Sequence, residues 1–418
     1  MVDKQEFGRR IAFYRQLKGV TQKELAEKVN VSSQAVSRWE VGKCFPAIDI
    51  LYEIAMFLNV TVEQLLVGNY DDRNQAYRST GLDTTKLYIL KDELLKFISK
   101  DERLIYSHYK EPLMYKINLS DYNDPILFST LNVPGSKAKF AKEYGAHENI
   151  CFDVVARAIN NVIKYGADPF LLQAHVVCGD WDNNQFVIMG QSLKQVCEDS
   201  GITFAGLDLA AQPVNYGLND YELFVELLGV ANNNQLILGD SIKAGDILIA
   251  IASPGIDANS YPFVKILLER ESKIMNGNEV LKSELVKKIL EPNVPYANVI
   301  KELRRIIQIH GICKVENSII KDTLFKCIPH HLGIEIDLSS IPVNGLYKLL
   351  IDNNLIEKES IPYKFSLGIG MIVIVSKHDK SKTINTIKKF HDCFVIGEVK
   401  EKSDDVIEKI HVKGEFNW

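Results

Sequence analysis

The 418-residue sequence has no long apolar run and no large excess of charge of either sign. No hydrophobic stretch approaches the roughly 18 residues that a membrane-spanning helix needs, and no signal peptide opens the chain. We therefore expect a cytoplasmic protein that does not associate with membranes. The formal net charge is −5, and the residues after 68 carry −6, so that part of the chain has no reason to bind nucleic acid or a membrane surface by charge alone.

Cysteine is present without a pattern. The seven cysteines are scattered, odd in number and contain no C-x-x-C pair, which predicts reduced and mostly buried thiols rather than a disulfide framework. The adjacent His330 and His331 have no Cys or acidic neighbours at metal-ligand spacing, so we expect no metal site there. The length predicts two or three domains.

The first 68 residues carry five short helical patterns. Thr21 is followed by Glu24 at the spacing of a capping box, and Ser32 is a second N-cap before another apolar stripe. Two short helices joined by Val29-Asn30-Val31 fit a helix-turn-helix. The second helix would present polar side chains to the DNA groove, namely Ser33, Gln34, Ser37 and Arg38.

The order Thr21-Gln22-x-x-Leu25-Ala26 and then Val36-Ser37-Arg38-Trp39-Glu40-x-Gly42-Lys43 resembles the lambda-repressor/Cro-like family of regulators. The resemblance implies that Gln22 and Lys43 contact phosphates while Ser33, Gln34 and Arg38 reach bases. Gln is suited to adenine and Arg to guanine. The segment holds nine basic and eight acidic residues, which is weakly basic for a DNA reader. A helical module used only for protein contacts is therefore the alternative.

A polar stretch, residues 69–76, predicts an exposed linker. An amphipathic helix is expected from Thr84 to about Lys100. Strand-like runs then alternate with helical ones, which predicts an α+β body behind an all-α N-terminal domain. The expected strands are Ile126–Phe128, Leu171–Val177, Leu223–Val230, Ile247–Ile251, Met371–Val375 and Phe394–Ile396. The expected helices are Val154–Tyr165, Gln191–Asp199, Phe263–Arg270 and Ala297–Ile309.

An ordered series of short motifs from Tyr77 onward resembles AIR synthetase, phosphoribosylformylglycinamidine cyclo-ligase. The motifs are Gly166-Ala167-Asp168-Pro169, Gly239-Asp240-Ser241-Ile242-Lys243-Ala244-Gly245-Asp246, Ser253-Pro254-Gly255, Leu290-Glu291-Pro292 and Phe365-Ser366-Leu367-Gly368. The resemblance implies two halves, which we place at residues 77–252 and 253–418. It also implies that the first half pairs with the same half of a second copy. In the family, ATP binds near that dimer interface, and the reaction uses ATP and magnesium.

The polar pattern of that family is altered here. Where the family's phosphate loop reads T-D-G-V-G-T-K, this chain has Leu131-Asn132-Val133-Pro134-Gly135-Ser136-Lys137. The family's Asn-Asp pair corresponds to Asn160-Asn161 in this chain. The family's glycine run is absent, and the corresponding segment is Cys313-Lys314-Val315-Glu316-Asn317. Asn keeps an acceptor oxygen but loses the charge that Mg²⁺ prefers. The catalytic groups are therefore expected to be degenerate, with no catalytic residue and no metal assigned.

We expect a DNA-binding regulator whose body dimerises and senses a nucleotide-like or phosphorylated ligand. The residues expected to hold that ligand are Gly135, Ser136, Lys137, Asp153, Asp208, Asn259 and Tyr261. The alternative for the side chains among them is a structural role in the framework. Two other functions stay open: a bifunctional cyclo-ligase that also binds DNA, and a regulator whose body is only a dimerisation or docking scaffold.

Overall fold

The computed structural model describes most of the chain. The described residues are 3–66, 84–102, 104–105, 114–180, 184–217, 220–254, 256, 279–316, 318, 323–402 and 409–416. Within them, no helix is long and apolar enough to cross a membrane. The chain divides into two compact units, Met1–Lys96 with Val177–Asn184 and Leu209–Tyr221, and Phe97–Val176 with Gln185–Asp208 and Glu222–Trp418.

The N-terminal domain is helical. Its helices are α1 (Lys4–Leu17), α2 (Gln22–Lys28), α3 (Ser33–Glu40), α4 (Ile48–Leu58) and α5 (Val62–Leu66). The expected caps are present. Thr21 accepts from the Glu24 N–H at 3.2 Å while Glu24 accepts from the Thr21 N–H at 2.6 Å, and Ser32 accepts from the Ala35 N–H. These bonds satisfy N–H groups that the first turns of α2 and α3 leave without helical partners.

One apolar core holds the five helices together. Its buried members are Phe7, Ile11, Leu25, Ala26, Val29, Val36, Trp39, Leu51, Ile54, Ala55, Leu58 and Leu65. Helices α1 and α3 cross closely at Gly8, where a Cβ atom would lie 2.2 Å from the Trp39 carbonyl oxygen. Glycine is therefore required at that crossing. Because each helix is short, its stability comes mainly from this shared packing.

The rest of the chain is built from strands and helices. The strands are β1 (Leu104–Ile105), β2 (Met114–Tyr115), β3 (Pro125–Asn132), β4 (Asp168–Cys178), β5 (Thr203–Ala211), β6 (Tyr221–Asn232), β7 (Ile247–Ala252), β8 (Ile309–Lys314), β9 (Leu332–Asp337), β10 (Ile369–Val375), β11 (Cys393–Glu401) and β12 (Ile410–Lys413). The helices are α6 (Thr84–Leu95), α7 (Ser136–Glu143), α8 (His147–Ile163), α9 (Gln185–Asp199), α10 (Glu279–Leu290), α11 (Ala297–Ile306), α12 (Phe325–Cys327), α13 (Gly345–Asp352), α14 (Ile361–Lys364) and α15 (Lys380–Ile387).

A four-stranded sheet has the order β3-β6-β4-β5. Strands β3 and β6 are antiparallel, with Leu127 opposite Val230 and Leu131 opposite Glu226. Alternate residues of β6 are buried, and α8 packs on β3 and on α9. One face of this sheet is thus covered by helices. The β3 edge leaves Leu127 and Leu131 57% and 66% exposed, respectively.

A six-stranded sheet has the order β12-β9-β11-β7-β10-β8. Its pairs are antiparallel except for β12 with β9. Strand β7 lies inside this sheet between β11 and β10, although the division expected at 252/253 assigns it to the first half, so the two sheets separate before Ile247. A short buried β-branched run has no side-chain alternation that reveals which sheet it joins.

The expected fold class is confirmed. The six predicted strands coincide with β3, β4, β6, β7, β10 and β11. The helix expected from Thr84 to Lys100 ends earlier, at Leu95, and the later Ile98 is buried in the body. The helix predicted at Phe263–Arg270 and the linker at 69–76 lie outside the described residues.

Candidate functional site

The outer surface of α3 carries the polar side chains that the sequence assigned to DNA. Ser33, Gln34 and Arg38 are exposed, Ser37 is half-buried, and Lys43 is exposed just after the helix. Val36 and Trp39 are buried on the opposite side. None of these five polar side chains has a hydrogen-bond partner within the described residues. The helix therefore presents a free polar face above an apolar anchor.

Gln22 has an internal partner. Its Nε2 donates to Glu40 Oε2 at 2.7 Å, and Arg15 bonds the same carboxylate at 2.5 and 3.0 Å. Glu40 and Arg15 have side chains only 7% and 11% exposed. A bidentate Arg–carboxylate pair of this kind is well ordered. The network holds the Gln22 amide at the start of α2, and its contact with a DNA phosphate stays a prediction.

The altered phosphate loop leads directly from β3 into α7. Gly135 stands at the N-cap position with φ +64°, a conformation that favours glycine, and α7 has no side-chain cap. Gly135 and Ser136 are exposed. The first N–H groups of α7 thus lack a capping side chain, which is the arrangement that binds anions at helix N-termini.

Lys137 and Asp153 form a buried ion pair. The Lys137 Nζ lies 2.8 Å from Asp153 Oδ1 and also donates to the carbonyls of Glu291 at 2.9 Å and Ile256 at 3.4 Å. Asp153 Oδ1 accepts from the backbone and side-chain N–H groups of Asn293 as well. The three donors of the ammonium are therefore used inside the protein. These contacts favour the structural alternative for both side chains, although the buried Asp153 Oδ2 has no hydrogen-bond partner among the described residues.

A second series of hydrogen-bonded polar side chains connects β3, α8 and β8. Asn161 Nδ2 donates to Asn132 Oδ1 at 2.7 Å, and the buried Lys314 ammonium donates to Asn161 Oδ1 at 2.9 Å. Lys314 also donates to Glu316 Oε1 at 2.8 Å. The neighbouring Asn160 instead binds the Val294 carbonyl and the Tyr296 N–H, and so holds the loop before α11.

Basic side chains surround Glu316. Burial alone would raise the pKa of Glu316, but the charges of Lys314, Arg157 and Lys164 outweigh it and leave the pKa below the usual value. Arg157 donates to the Val133 carbonyl of the phosphate loop at 3.2 Å. Its Nε is buried and has no partner within the described residues. A positively charged neighbourhood thus borders the loop that leads into α7.

These residues do not fit the magnesium ion of the resembled family. Asn132 Oδ1 and Asn161 Oδ1 already accept hydrogen bonds, and the Lys314 cation lies 2.9 Å from the Asn161 oxygen. A divalent cation next to an ammonium would meet strong repulsion and few anionic ligands. Among the described residues, no group of three or more His, Cys, Asp or Glu side chains is placed to hold a metal.

The remaining predicted ligand residues are not brought into this cluster. Asp208 lies on β5, exposed, with its Oδ2 4.0 Å from His175 Nδ1 on β4. It is not among the partners of Lys137. Asn259 and Tyr261 lie outside the described residues.

Sequence reasoning missed Arg157 and the pairing of Lys314 with Glu316. A signal for Arg157 was present, because Asp153, Arg157 and Asn161 follow one another at intervals of four along α8. That spacing places all three on one side of a helix. A polar stripe on an otherwise buried helix predicts a functional or ion-paired face.

Two family models match separate parts of the chain, which supports a helix-turn-helix domain fused to a body similar to AIR synthase. Residues 11–65 match the family model described as Helix-turn-helix. Residues 243–410 match the model described as AIR synthase related protein, C-terminal domain.

Curated relatives extend the similarity over the whole body. The phosphoribosylformylglycinamidine cyclo-ligase of Oceanobacillus iheyensis is 26% identical over 339 residues, which is 79% of this chain and 98% of that enzyme. The cyclo-ligase of Alkaliphilus oremlandii is 27% identical over 297 residues, covering 70% of this chain and 87% of that enzyme. The sequence resemblance stated from the motifs is thus confirmed.

Solved structures share the same fold. Hydrogenase maturation protein HypE in complex with ATP matches with a TM-score of 0.55 at 12% identity, covering 79% of this chain and 91% of that chain. Thiamine-monophosphate kinase from Stenotrophomonas maltophilia K279a matches with a TM-score of 0.54 at 13% identity, covering 76% and 93%, respectively. At this identity the likeness concerns the fold alone.

Proposed function

We propose that this protein is a cytoplasmic transcriptional regulator whose body binds a phosphate-bearing ligand without magnesium and transmits that binding to DNA. The observation that carries the proposal is the contact between the Lys314 ammonium and Asn161 Oδ1, in a chain that also carries a helix-turn-helix domain. A protein cation occupies the neighbourhood in which a catalyst would need a metal. The body is therefore suited to binding rather than to phosphoryl chemistry.

The free polar face of α3 supports the DNA-binding part. Gln34 and Arg38 are exposed, and the apolar side of the helix is anchored by Trp39. An exposed recognition helix of this kind enters the major groove and reads base edges. Arg9, Lys18, Lys28 and Lys43 add positive charge to the same domain. Phosphate contacts by such residues supply sequence-independent affinity.

The uncapped start of α7 supports the ligand-binding part. Its exposed Gly135 and Ser136 can bring backbone N–H groups close to an anion, and the helix dipole favours negative charge there. The Nε of Arg157, which has no partner among the described residues, adds a donor near the same loop. One relative in fold was solved with ATP, which makes ATP the first probe to try.

The test compares the effect on ATP binding of a negative charge introduced at the start of α7 with the effect of the same charge at a distant exposed site. We expect ATP to bind the full-length protein equally in EDTA and in magnesium, as measured by calorimetry. Ser136→Asp should weaken binding by about tenfold or more, a loss of about 1.4 kcal/mol, through repulsion of phosphate. Ser381→Asp adds the same charge to the exposed first turn of α15 and is the matched control.

The ligand must also alter DNA binding. A preferred site is first selected from a random DNA pool, and its affinity is then measured with and without ATP. Equal affinity in both conditions, repeated with other phosphate esters, would favour the scaffold function instead. Binding of ATP only in the presence of magnesium would contradict the metal-free site.

An active cyclo-ligase is the second candidate, because the curated relatives carry that name and match over nearly their full length. The assay is magnesium-dependent release of ADP from ATP with formylglycinamidine ribotide. The sensor proposal predicts no release above background. Release at the roughly 1 s⁻¹ or faster that is typical of enzymes would overturn the sensor proposal.

We also propose that a second copy of the chain covers the outer face of the four-stranded sheet. Strand β3 is an edge strand whose Leu127 and Leu131 are exposed on the same face, and unprotected apolar edges favour pairing. The two-fold symmetry of DNA half-sites is consistent with a dimer. Light scattering should give a dimer at micromolar concentration. The double change of Leu127 and Leu131 to Glu should give a monomer, whereas Val280→Glu, at an exposed site on α10, should not.

A further inference from the structure

Positive charge in the body is concentrated around α15. Residues 69–418 carry 40 Lys or Arg and 46 Asp or Glu, so the body as a whole is acidic. Residues 377–389, by contrast, hold five Lys and a single acidic residue, Asp379, which accepts a hydrogen bond from Ser376. The acidic average of the body therefore hides a basic segment, and the placement of charges decides recognition more than their sum does.

The packing of α15 determines which of these lysines face solvent. Thr383, Thr386 and Ile387 are buried, and the helix packs against α11, β7 and β11. The opposite side of the helix and of the two residues that follow it is exposed, with Ser381, Lys382, Asn385, Lys388 and Lys389. These five side chains include no carboxylate. Lys, Ser and Asn are side chains that commonly contact DNA phosphates.

The neighbouring helix α11 extends the positive charge. It exposes Lys301 and Arg305 near its end. Lys382 Nζ donates to the Ile306 carbonyl at 2.9 Å, which places Lys382 beside the end of α11 that carries Arg305. We call the five exposed cations of the two helices the basic face: Lys301, Arg305, Lys382, Lys388 and Lys389.

The basic face carries more positive charge than its neighbours neutralise. Arg305 pairs with Glu302 at 3.1 Å. Within the described part of the chain, no ion pair or hydrogen bond joins the side chains of Lys301, Lys388 and Lys389 to another group. Exposed charges of this kind contribute little to folding, and they are available to a polyanion.

We propose that the basic face binds the phosphate backbone of duplex DNA next to the site that α3 reads. The proposal rests on DNA binding by the helix-turn-helix domain, which brings the body close to DNA and raises the local concentration of phosphates. An acidic body would otherwise be repelled by DNA, and the unpaired lysines offset that repulsion. The contact is independent of sequence, because every sequence carries the same phosphates.

The test measures the affinity of the full-length protein for two duplexes at several salt concentrations. The short duplex carries only the preferred site, and the long duplex extends it on each side by about 20 base pairs, roughly two helical turns. The basic-face variant combines Lys301→Gln, Lys388→Gln and Lys389→Gln. On the long duplex, its plot of log affinity against log salt should be less steep by about 2–3, since each phosphate contact contributes about 0.9 to the slope. On the short duplex, its slope should equal that of the wild type.

The matched control removes the same total charge from other exposed lysines of the body, and it combines Lys287→Gln, Lys348→Gln and Lys358→Gln. Its slope should stay within about 0.5 of the wild-type slope on both duplexes, because these lysines lie outside the basic face. Thermal unfolding followed by circular dichroism should show that both triple variants fold as the wild type does.

The outcomes separate this proposal from DNA reading by α3. An unchanged slope on the long duplex for the basic-face variant, or an equal change in the control, would overturn the proposal, while a loss of site preference in Arg38→Ala would still support reading by α3. Absence of DNA binding by the wild type would overturn both. Loss of binding to phosphatidylglycerol vesicles in the basic-face variant, with its DNA slope unchanged, would overturn the proposal in favour of a membrane contact.

Discussion

The contribution of a charged side chain in this protein depends on how exposed it is to solvent. Arg38 is exposed on α3 and free to reach DNA, whereas Lys314 is buried and bonded to Asn161 and Glu316. An exposed charge contributes little to folding but can contribute much to recognition. A buried charge contributes more to folding than to recognition, because removing its partner leaves an unpaired charge in the low-dielectric interior of the protein.

Arg38→Ala should weaken binding to the preferred DNA site by about 1–3 kcal/mol and change binding to random DNA much less. The physical reason is that a base-edge contact discriminates between sequences. Lys43→Ala should weaken binding to both kinds of DNA alike, because phosphates are present in every sequence. Fluorescence anisotropy at fixed salt measures both losses. If Arg38→Ala lowers the two affinities by the same factor, the base-reading role is wrong.

Lys314→Met should lower the free energy of unfolding by about 1–2 kcal/mol at neutral pH, less than for a fully buried pair because Glu316 is partly exposed. The pKa of Glu316 is lowered in the folded state from about 4.5, so its contribution is present above that pH and is lost as the pH falls through the folded value. The difference between variant and wild type should therefore shrink below about pH 4.5. Urea unfolding at several pH values measures it.

The matched control is Lys400→Met. Lys400 pairs with Glu398 at 2.6 Å on β11, but its side chain is 46% exposed. Its loss should change stability by less than about 0.5 kcal/mol. A Lys314→Met effect that stays constant from pH 7 to pH 3 would contradict the ion-pair explanation.

Elements of the body are connected by buried polar groups as well as by sheets. The loop at residues 290–296 is bonded by side chains of α8, because Asn149 donates to the Leu290 carbonyl and Asn160 binds both Val294 and Tyr296. Lys137 reaches the same loop from α7 through the Glu291 carbonyl. The join between the two sheets is thus held by hydrogen bonds of long sequence separation, which specify one arrangement of α7, α8 and the loop.

Lys137→Met should destabilise the body by about 3–5 kcal/mol, because it leaves Asp153 as an unpaired buried charge. The double variant with Asp153→Leu should recover much of that loss, since an apolar pair of similar size needs no counter-charge. Lys139→Met, at an exposed position of the same helix, should have little effect. Thermal unfolding followed by circular dichroism compares the three. A double variant less stable than Lys137→Met alone would contradict this explanation.

At the scale of the whole molecule, the proposed function requires the body to act on the DNA-reading domain through residues 69–76, which the sequence predicts as a linker. A flexible linker of about eight residues would keep its ends only about 15 Å apart. In a dimer, the spacing of two recognition helices then depends on how the bodies are held. A ligand can change DNA affinity only through its differential affinity for two arrangements of the dimer.

Insertion of a flexible ten-residue Gly/Ser segment after Asp72 should therefore weaken the ligand's effect on DNA binding. Ligand affinity itself should stay unchanged, because the body is untouched. The measurement is the ratio of DNA affinities with and without ligand, for the inserted and the parent protein. The same insertion made with a helical Glu/Ala/Lys-rich segment tests whether stiffness restores coupling. A full ligand effect in the flexible variant would rule out coupling through linker length.

The sequence by itself determined the helical domain, the α+β class of the body and the order of the family motifs. The capping box at Thr21 and Glu24, the Ser32 cap and the apolar spacing of α1 to α5 are all local, so periodicity and cap residues were enough to locate them. The altered residues Asn132 and Asn161 could likewise be read directly from the phosphate-loop and Asn-Asp motifs.

Only the tertiary structure decided how distant residues meet. Lys314 lies 153 residues from Asn161 yet bonds to it, Lys137 turns inward to Asp153, and β7 joins the second sheet rather than the first. The physical reason is common to all three cases. Burial brings these groups together through the packing of strands and helices, and no local propensity encodes which buried polar group or strand will become the partner.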